Sequence, residues 1–240
     1  MAKSAPPPPQ KPRPARPLPP RPEKPKGPPA RARVSAIARD GTRSAEYPLF
    51  KEETRIGAQV GDDEVKLDLD PFVAAQHAVL RFEGQQLFVE DLGTPNGVFL
   101  AFKEKRLEGG GELRLGRQRL RIEMLPEQGG MVAPEPVWGS PDPGYLARAV
   151  QLFEGGAEGD VFPLRAGENT VGRAAGDVTF PQDGYVSTKH AIITIAGKTI
   201  SVKDLGSANG TFVRVANRAR IALGDLLLIG EQILRIDPGS

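Results

Sequence analysis

The sequence predicts an all-β protein made of two copies of one sandwich, and three observations carry that prediction. Apolar residues fall in short runs, many alternating with polar ones, and turn residues interrupt them about every 8–12 positions; no helical period of useful length appears. The chain also repeats itself, with the stretch VAAQHAVLRFEGQQLFVEDLGTPNGVFL (73–100) returning as VSTKHAIITIAGKTISVKDLGSANGTFV (186–213). Finally, two Pro- and Gly-rich stretches bracket the copies and divide the 240 residues into a tail, a segment, a linker and a segment.

The tail is residues 1–33. It carries thirteen prolines between Pro6 and Pro29, and the only apolar residue in that stretch larger than alanine or proline is Leu18. Nothing there offsets the entropy of ordering, so an extended, disordered polyproline arm is expected. Nine basic residues against Glu23 make the arm strongly positive, leaving 23 basic and 29 acidic residues for the rest of a chain whose net charge is +2. The first β segment is 34–125, with strands read at VSAIARD, VKLDL, AVLRFEG, QLFVEDL and LRIEML. The linker is 126–145, and its Trp138, the chain's one tryptophan, is a candidate to pin it to a sandwich face. The second β segment is 146–238, with strands at RAVQLF, DVFPLR, AIITIAG, TISVKDL and QILRID.

The two segments align residue by residue. His77 and His190 are 113 apart, and the same offset relates Asp91 to Asp204, Gly93 to Gly206, Asn96 to Asn209 and Gly97 to Gly210. A one-residue slip follows, so that ELRLGRQRLRIE aligns with DLLLIGEQILRID and Gly116 with Gly230. Such a register over some forty residues implies duplication of one module.

The second copy contains Gly172-Arg173, Ser187-x-x-His190, Asn209-Gly210 and Gly224-Asp225 in that order. This constellation resembles the forkhead-associated (FHA) domain and spans nearly all of 146–238. The resemblance implies an eleven-stranded β-sandwich, two in tandem here, that binds phosphothreonine peptides through loops at one end. Phosphate chemistry agrees, since a dianion wants a guanidinium fork and short hydroxyl or backbone donors. Arg173 and Ser187 are thus the expected phosphate ligands, Thr188 and Lys189 could add a donor or a charge, and Asn209 orients the peptide backbone. Gly172, His190, Gly210 and Thr211 are expected to be framework. Taken singly, Arg173 is an exposed arginine, Ser187 a turn serine and Asn209-Gly210 a turn signal; the spacing of the set gives them meaning.

In the first copy the pair becomes Gly57-Ala58 and the serine becomes Ala74, while His77 and Asn96 remain. Both charge-assisted contacts are gone, each worth about 1.5–3 kcal/mol, which weakens a phosphate site by at least ~2 powers of ten. Arg55 lies within a strand and is not expected to replace Arg173. The first copy is therefore expected to keep its shape without binding phosphothreonine. Because His77 survives loss of the site, both histidines are read as structural.

With no cysteine, only two histidines and no phosphate-cradling glycine loop, no catalytic set, metal site or cofactor is expected. The expected protein is a cytoplasmic, non-enzymatic, bacterial adaptor whose partner is a threonine-phosphorylated protein, a substrate of a Ser/Thr kinase or that kinase itself. The alternative is a phosphate-independent assembly subunit. RPLPPRPEK (16–24) resembles an SH3-domain ligand; the arm otherwise acts as a solvated spacer, with only sequence-blind attraction to nucleic acid or anionic membrane.

Overall fold

The structure is a computed structural model and describes residues 29–38, 42–126, 138–141 and 143–239. It is all-β: among the described residues there are twenty strands, and the one helical element is a 3₁₀ turn at Glu154–Gly156. The first repeat supplies β1 (Ala32–Ile37), β2 (Arg43–Leu49), β3 (Glu53–Gly57), β4 (Val65–Lys66), β5 (Ala78–Glu83), β6 (Gln86–Asp91), β7 (Val98–Phe102), β8 (Glu104–Glu108), β9 (Gly110–Leu115) and β10 (Gln118–Met124). The second supplies β11 (Tyr145–Leu152), β12 (Glu158–Arg165), β13 (Gly167–Gly172), β14 (Val178–Thr179), β15 (Ala191–Ala196), β16 (Thr199–Asp204), β17 (Thr211–Arg214), β18 (Arg218–Ile221), β19 (Leu226–Ile229) and β20 (Gln232–Pro238). That is ten strands from each repeat, against the eleven that the resemblance implies.

The strands do not pair within their own repeats throughout. One five-stranded sheet runs β4-β3-β5-β6-β18 and another runs β14-β13-β15-β16-β8. A ten-stranded sheet runs β12-β11-β10-β9-β17-β7-β19-β20-β1-β2 and covers both. Each sandwich is therefore closed by the last three strands of the other repeat. The repeats 34–125 and 146–238 are units of sequence, whereas the packed units interleave them. The connections supply the physical reason. β7 and β8 lie in different sheets, so bringing β8 back beside β6 needs more than a hairpin turn: the chain has to reverse and also cross the ~10 Å between packed sheets. Only Lys103 separates β7 from β8, so the chain cannot reverse and runs on into the neighbouring sandwich. Val215, Ala216 and Asn217 make the equivalent crossing between β17 and β18. Backbone bonds fix both crossings: Asp204 N donates to Lys103 O at 2.8 Å, and Asp91 N donates to Asn217 O at 2.9 Å.

The two cores record the same exchange. In the first, Val34, Ile56, Leu80 and Val89 are buried with Ile221, Leu227, Ile229, Leu234 and Ile236 from the second repeat. In the second, Val171, Ile193, Ile195 and Ile200 are buried with Leu107, Leu113, Leu115, Leu120 and Ile122 from the first. At the seam, β7 and β17 pair antiparallel, with Leu100 opposite Val213. Those two residues differ by the repeat offset of 113, so equivalent positions face each other across a pseudo-twofold axis. A small third cluster of Phe99, Phe212 and Leu228 sits on that seam, with the Arg114 guanidinium 5.8 Å from the Phe99 ring centre.

Several local expectations change. VKLDL forms only the two-residue β4, parallel to β3, before the chain turns. Trp138 pins nothing: it is 96% exposed. β1 begins at Ala32, two residues inside the stretch read as tail; residues 1–28, including the SH3-like RPLPPRPEK, lie outside the described residues.

Candidate functional site

Three loops of the second sandwich meet at one end: 173–177 after β13, 180–190 between β14 and β15, and 205–210 between β16 and β17. The first two are held at close range. Arg173 N donates to Ser187 O at 3.0 Å, and a Cβ on Gly172 would collide with the carbonyl oxygen of Thr188. Glycine is thus required at 172 by the approach of the serine loop, and the backbone of Arg173 is set beside Ser187. Arg173 and Ser187 are half-buried, and Thr188 and Lys189 are exposed.

The third loop is tied to the second by both residues read as ligands. Ser187 Oγ accepts from Ala208 N at 3.2 Å. Asn209 Nδ2 donates to Tyr185 O at 2.7 Å. Its amide nitrogen is therefore used in joining loops, which leaves Oδ1 as the group that can accept from a bound peptide. The sequence reading assigned Asn209 to the peptide alone; the structure adds this bracing role.

His190 is fully buried and braces all of this. Ser187 N donates to its Nδ1 at 3.1 Å, so Nε2 carries the hydrogen and donates to Gly210 O at 3.1 Å. Below it, the Asp204 carboxylate accepts from Gly206 N, Ser207 N, Ser207 Oγ and Thr211 Oγ1 at 2.5–3.0 Å. Burial would raise the Asp204 pKa, but the bonds from Ser207 and Thr211 outweigh it and hold the carboxyl below its ordinary value. Lys103, from the crossing segment of the first repeat, lies 3.7 Å from the same carboxylate.

The first sandwich preserves this frame. Ala58 N donates to Ala74 O at 2.9 Å, Ala74 N to His77 Nδ1 at 3.1 Å, and Asn96 Nδ2 to Phe72 O at 2.8 Å. His77 Nε2 meets Gly97 O at 3.0 Å and the Thr94 hydroxyl at 2.9 Å. What is missing is chemistry: methyl groups stand at 58 and 74. Arg55 projects from β3 and is occupied by Gln76 Oε1 at 3.2 Å, in a pocket it shares with Glu53, Asp63 and Glu64. That setting disfavours a phosphate dianion.

Burial, chiefly, pushes both histidines below their ordinary pKa of 6.5. The unfolded chain then binds protons that the folded chain refuses, so their contribution is intact above about pH 6.5 and declines as pH falls toward the folded values. The urea midpoint is expected to drop between pH 7.5 and 5, above the range where carboxylates titrate. A midpoint constant across that interval would contradict neutral, load-carrying imidazoles.

Comparison with known proteins identifies the family of both repeats. The FHA domain family matches residues 54–119 and 169–230, one stretch in each repeat. FHA domain-containing protein FhaB of Mycobacterium tuberculosis is 31% identical over 97 residues, 39% of this chain and 63% of FhaB. FhaB of Mycolicibacterium smegmatis is 30% identical over the same length. The chain thus matches less than two thirds of the length of these relatives. Among solved structures, one described as "Structural and functional analysis of phosphothreonine-dependent FHA domain interactions" is 30% identical, with a TM-score of 0.22, covering 33% of this chain and 84% of that one. M. tuberculosis EmbR in complex with a low-affinity phosphopeptide is 22% identical, with a TM-score of 0.21, covering 37% of this chain and 27% of EmbR.

Proposed function

This chain belongs to the FHA domain family, and we propose that its second sandwich binds a threonine-phosphorylated protein, making the chain an adaptor whose output follows a Ser/Thr kinase. Arg173 and Ser187 hold the phosphate, Thr188 and Lys189 assist, and Asn209 Oδ1 accepts from the peptide backbone. One contrast supports this reading above the rest. The same loop frame occurs twice, and the arginine and the serine occur together in one copy and are absent together from the other. Drift in a scaffold would remove such residues independently.

The first sandwich fits the second reading, a phosphate-independent shape used in assembly. Strands of the first repeat already serve that end, because β8–β10 close the second sandwich. Among the described residues no helix is long and apolar enough to cross a membrane. The test is a titration of the full chain with a degenerate phosphothreonine peptide library and its unphosphorylated twin. Saturable binding of the phosphorylated set alone, at one site per chain, is expected. Equal binding of both sets, or two phosphate-dependent sites, would overturn the assignment.

A further inference from the structure

The exchange brings a first-repeat residue to the second sandwich's loop end. The β9–β10 turn at Gly116 and Arg117 sits on the 180–190 loop. Gly116 has φ +58°, and a Cβ there would lie 2.9 Å from the Tyr185 carbonyl carbon. Asp183 fastens the turn: its Oδ2 accepts from Arg117 N at 2.9 Å and Gln118 Nε2 at 2.8 Å, while Oδ1 accepts from Tyr185 N at 2.9 Å. The Arg117 guanidinium lies 5.4 Å from the Tyr185 ring centre. The carbonyl of that same Tyr185 holds Asn209. Arg117 is exposed, and a pocket of about 400 Å³ opens beside it, lined also by Gln118, Asp160, Gln182 and Tyr185. Among the described residues no carboxylate forms an ion pair with it; the Asp183 oxygens are taken by the donors just named.

The first sandwich holds the matching turn, with Glu231 N donating to Asp70 Oδ2 at 2.7 Å and Gln232 Nε2 to the same oxygen at 3.3 Å. There the position of Arg117 is filled by Glu231. The turn is therefore basic at the sandwich with Arg173 and Ser187, and acidic at the sandwich with Ala58 and Ala74. Sequence alignment alone assigns these charges the other way, because Arg117 belongs to the repeat that lost the phosphate ligands. Only the strand exchange puts the positive turn at the intact loop end.

We propose that Arg117 is a specificity-determining residue of the second sandwich's peptide site, contributed by the first repeat, and that it selects an acidic side chain near the phosphothreonine. This rests on the phosphothreonine reading above. The test uses the full chain and phosphothreonine peptides in which one glutamate is moved through the flanking positions. The wild type is expected to prefer glutamate at one position by about 3- to 5-fold, the size of an exposed ion pair. Arg117→Ala should erase that preference, Arg117→Glu should turn it toward lysine, and Glu231→Arg should leave it unchanged. These variants keep the Arg117 N–H bond to Asp183, and retained discrimination between phosphorylated and unphosphorylated peptide confirms an intact site. Glutamate preference surviving in Arg117→Ala, or absent from the wild type, overturns the proposal and leaves the phosphothreonine reading standing. Failure of the wild type to bind any phosphothreonine peptide removes both.

Discussion

Arg173→Ala is expected to lower affinity for a phosphothreonine peptide by about 100-fold or more. A guanidinium can donate two parallel bonds to phosphate oxygens, and each bond to a charged group is worth about 1.5–3 kcal/mol. One lost bond at the upper figure is already about 150-fold. The variant should fold normally, since the loop backbone is fixed by Arg173 N on Ser187 O and not by the side chain. The first sandwich demonstrates as much, holding the same backbone bond with Ala58 and Ala74. Arg173→Lys separates charge from shape: it keeps the charge, loses the fork and should recover only part of the affinity. Ser187→Ala should cost less, because one neutral donor is removed and the Ala208 amide loses its acceptor at 3.2 Å. Unchanged affinity in Arg173→Ala, measured by calorimetry on protein with a wild-type melting curve, would sink the assignment of the phosphate site.

Much of this site was legible in the sequence because its frame is local. Gly172, Ser187, His190 and Asn209 lie within forty residues, and β16 between them, TISVKD, alternates apolar and polar residues before its end. The partnership of His190 with Ser187 and Gly210 follows the spacing that His77 repeats with Ala74 and Gly97. The exchange of strands was not legible in the same way. Leu107, Leu113, Leu115, Leu120 and Ile122 align with Ile221, Leu227, Ile229, Leu234 and Ile236, so either set suits either core by volume and polarity. Duplication makes the two pairings nearly degenerate in hydrophobic pattern. What separates them is the shortness of the connections after β7 and after β17, one residue and three, and that acts through backbone geometry. Arg117 was missed for the same reason: its partners Asp183 and Tyr185 are more than sixty residues away, in the other repeat.

Residues 146–239 produced alone are accordingly expected to form a strand-exchanged dimer and no stable monomer. Of the seventeen buried residues in the second core, five come from the first repeat. Burying a leucine or isoleucine side chain contributes about 1.5–3 kcal/mol, so their loss is comparable to the whole stability of a typical domain, about 5–15 kcal/mol. The fragment retains equivalent side chains on β18–β20, but Val215, Ala216 and Asn217 carry those strands away from their own β16 and toward β6. A second copy offers the vacant place, and its β17 can pair across the axis where β7 now lies, with Val213 facing its own equivalent. Sedimentation should give twice the fragment mass, and the melting temperature should rise with concentration. Lengthening the crossing by a four-residue turn after Ala216 should let the strands fold back and convert the dimer to a monomer. If the unmodified fragment were a folded monomer at every concentration, the three-residue connection after β17 would not be what enforces the exchange.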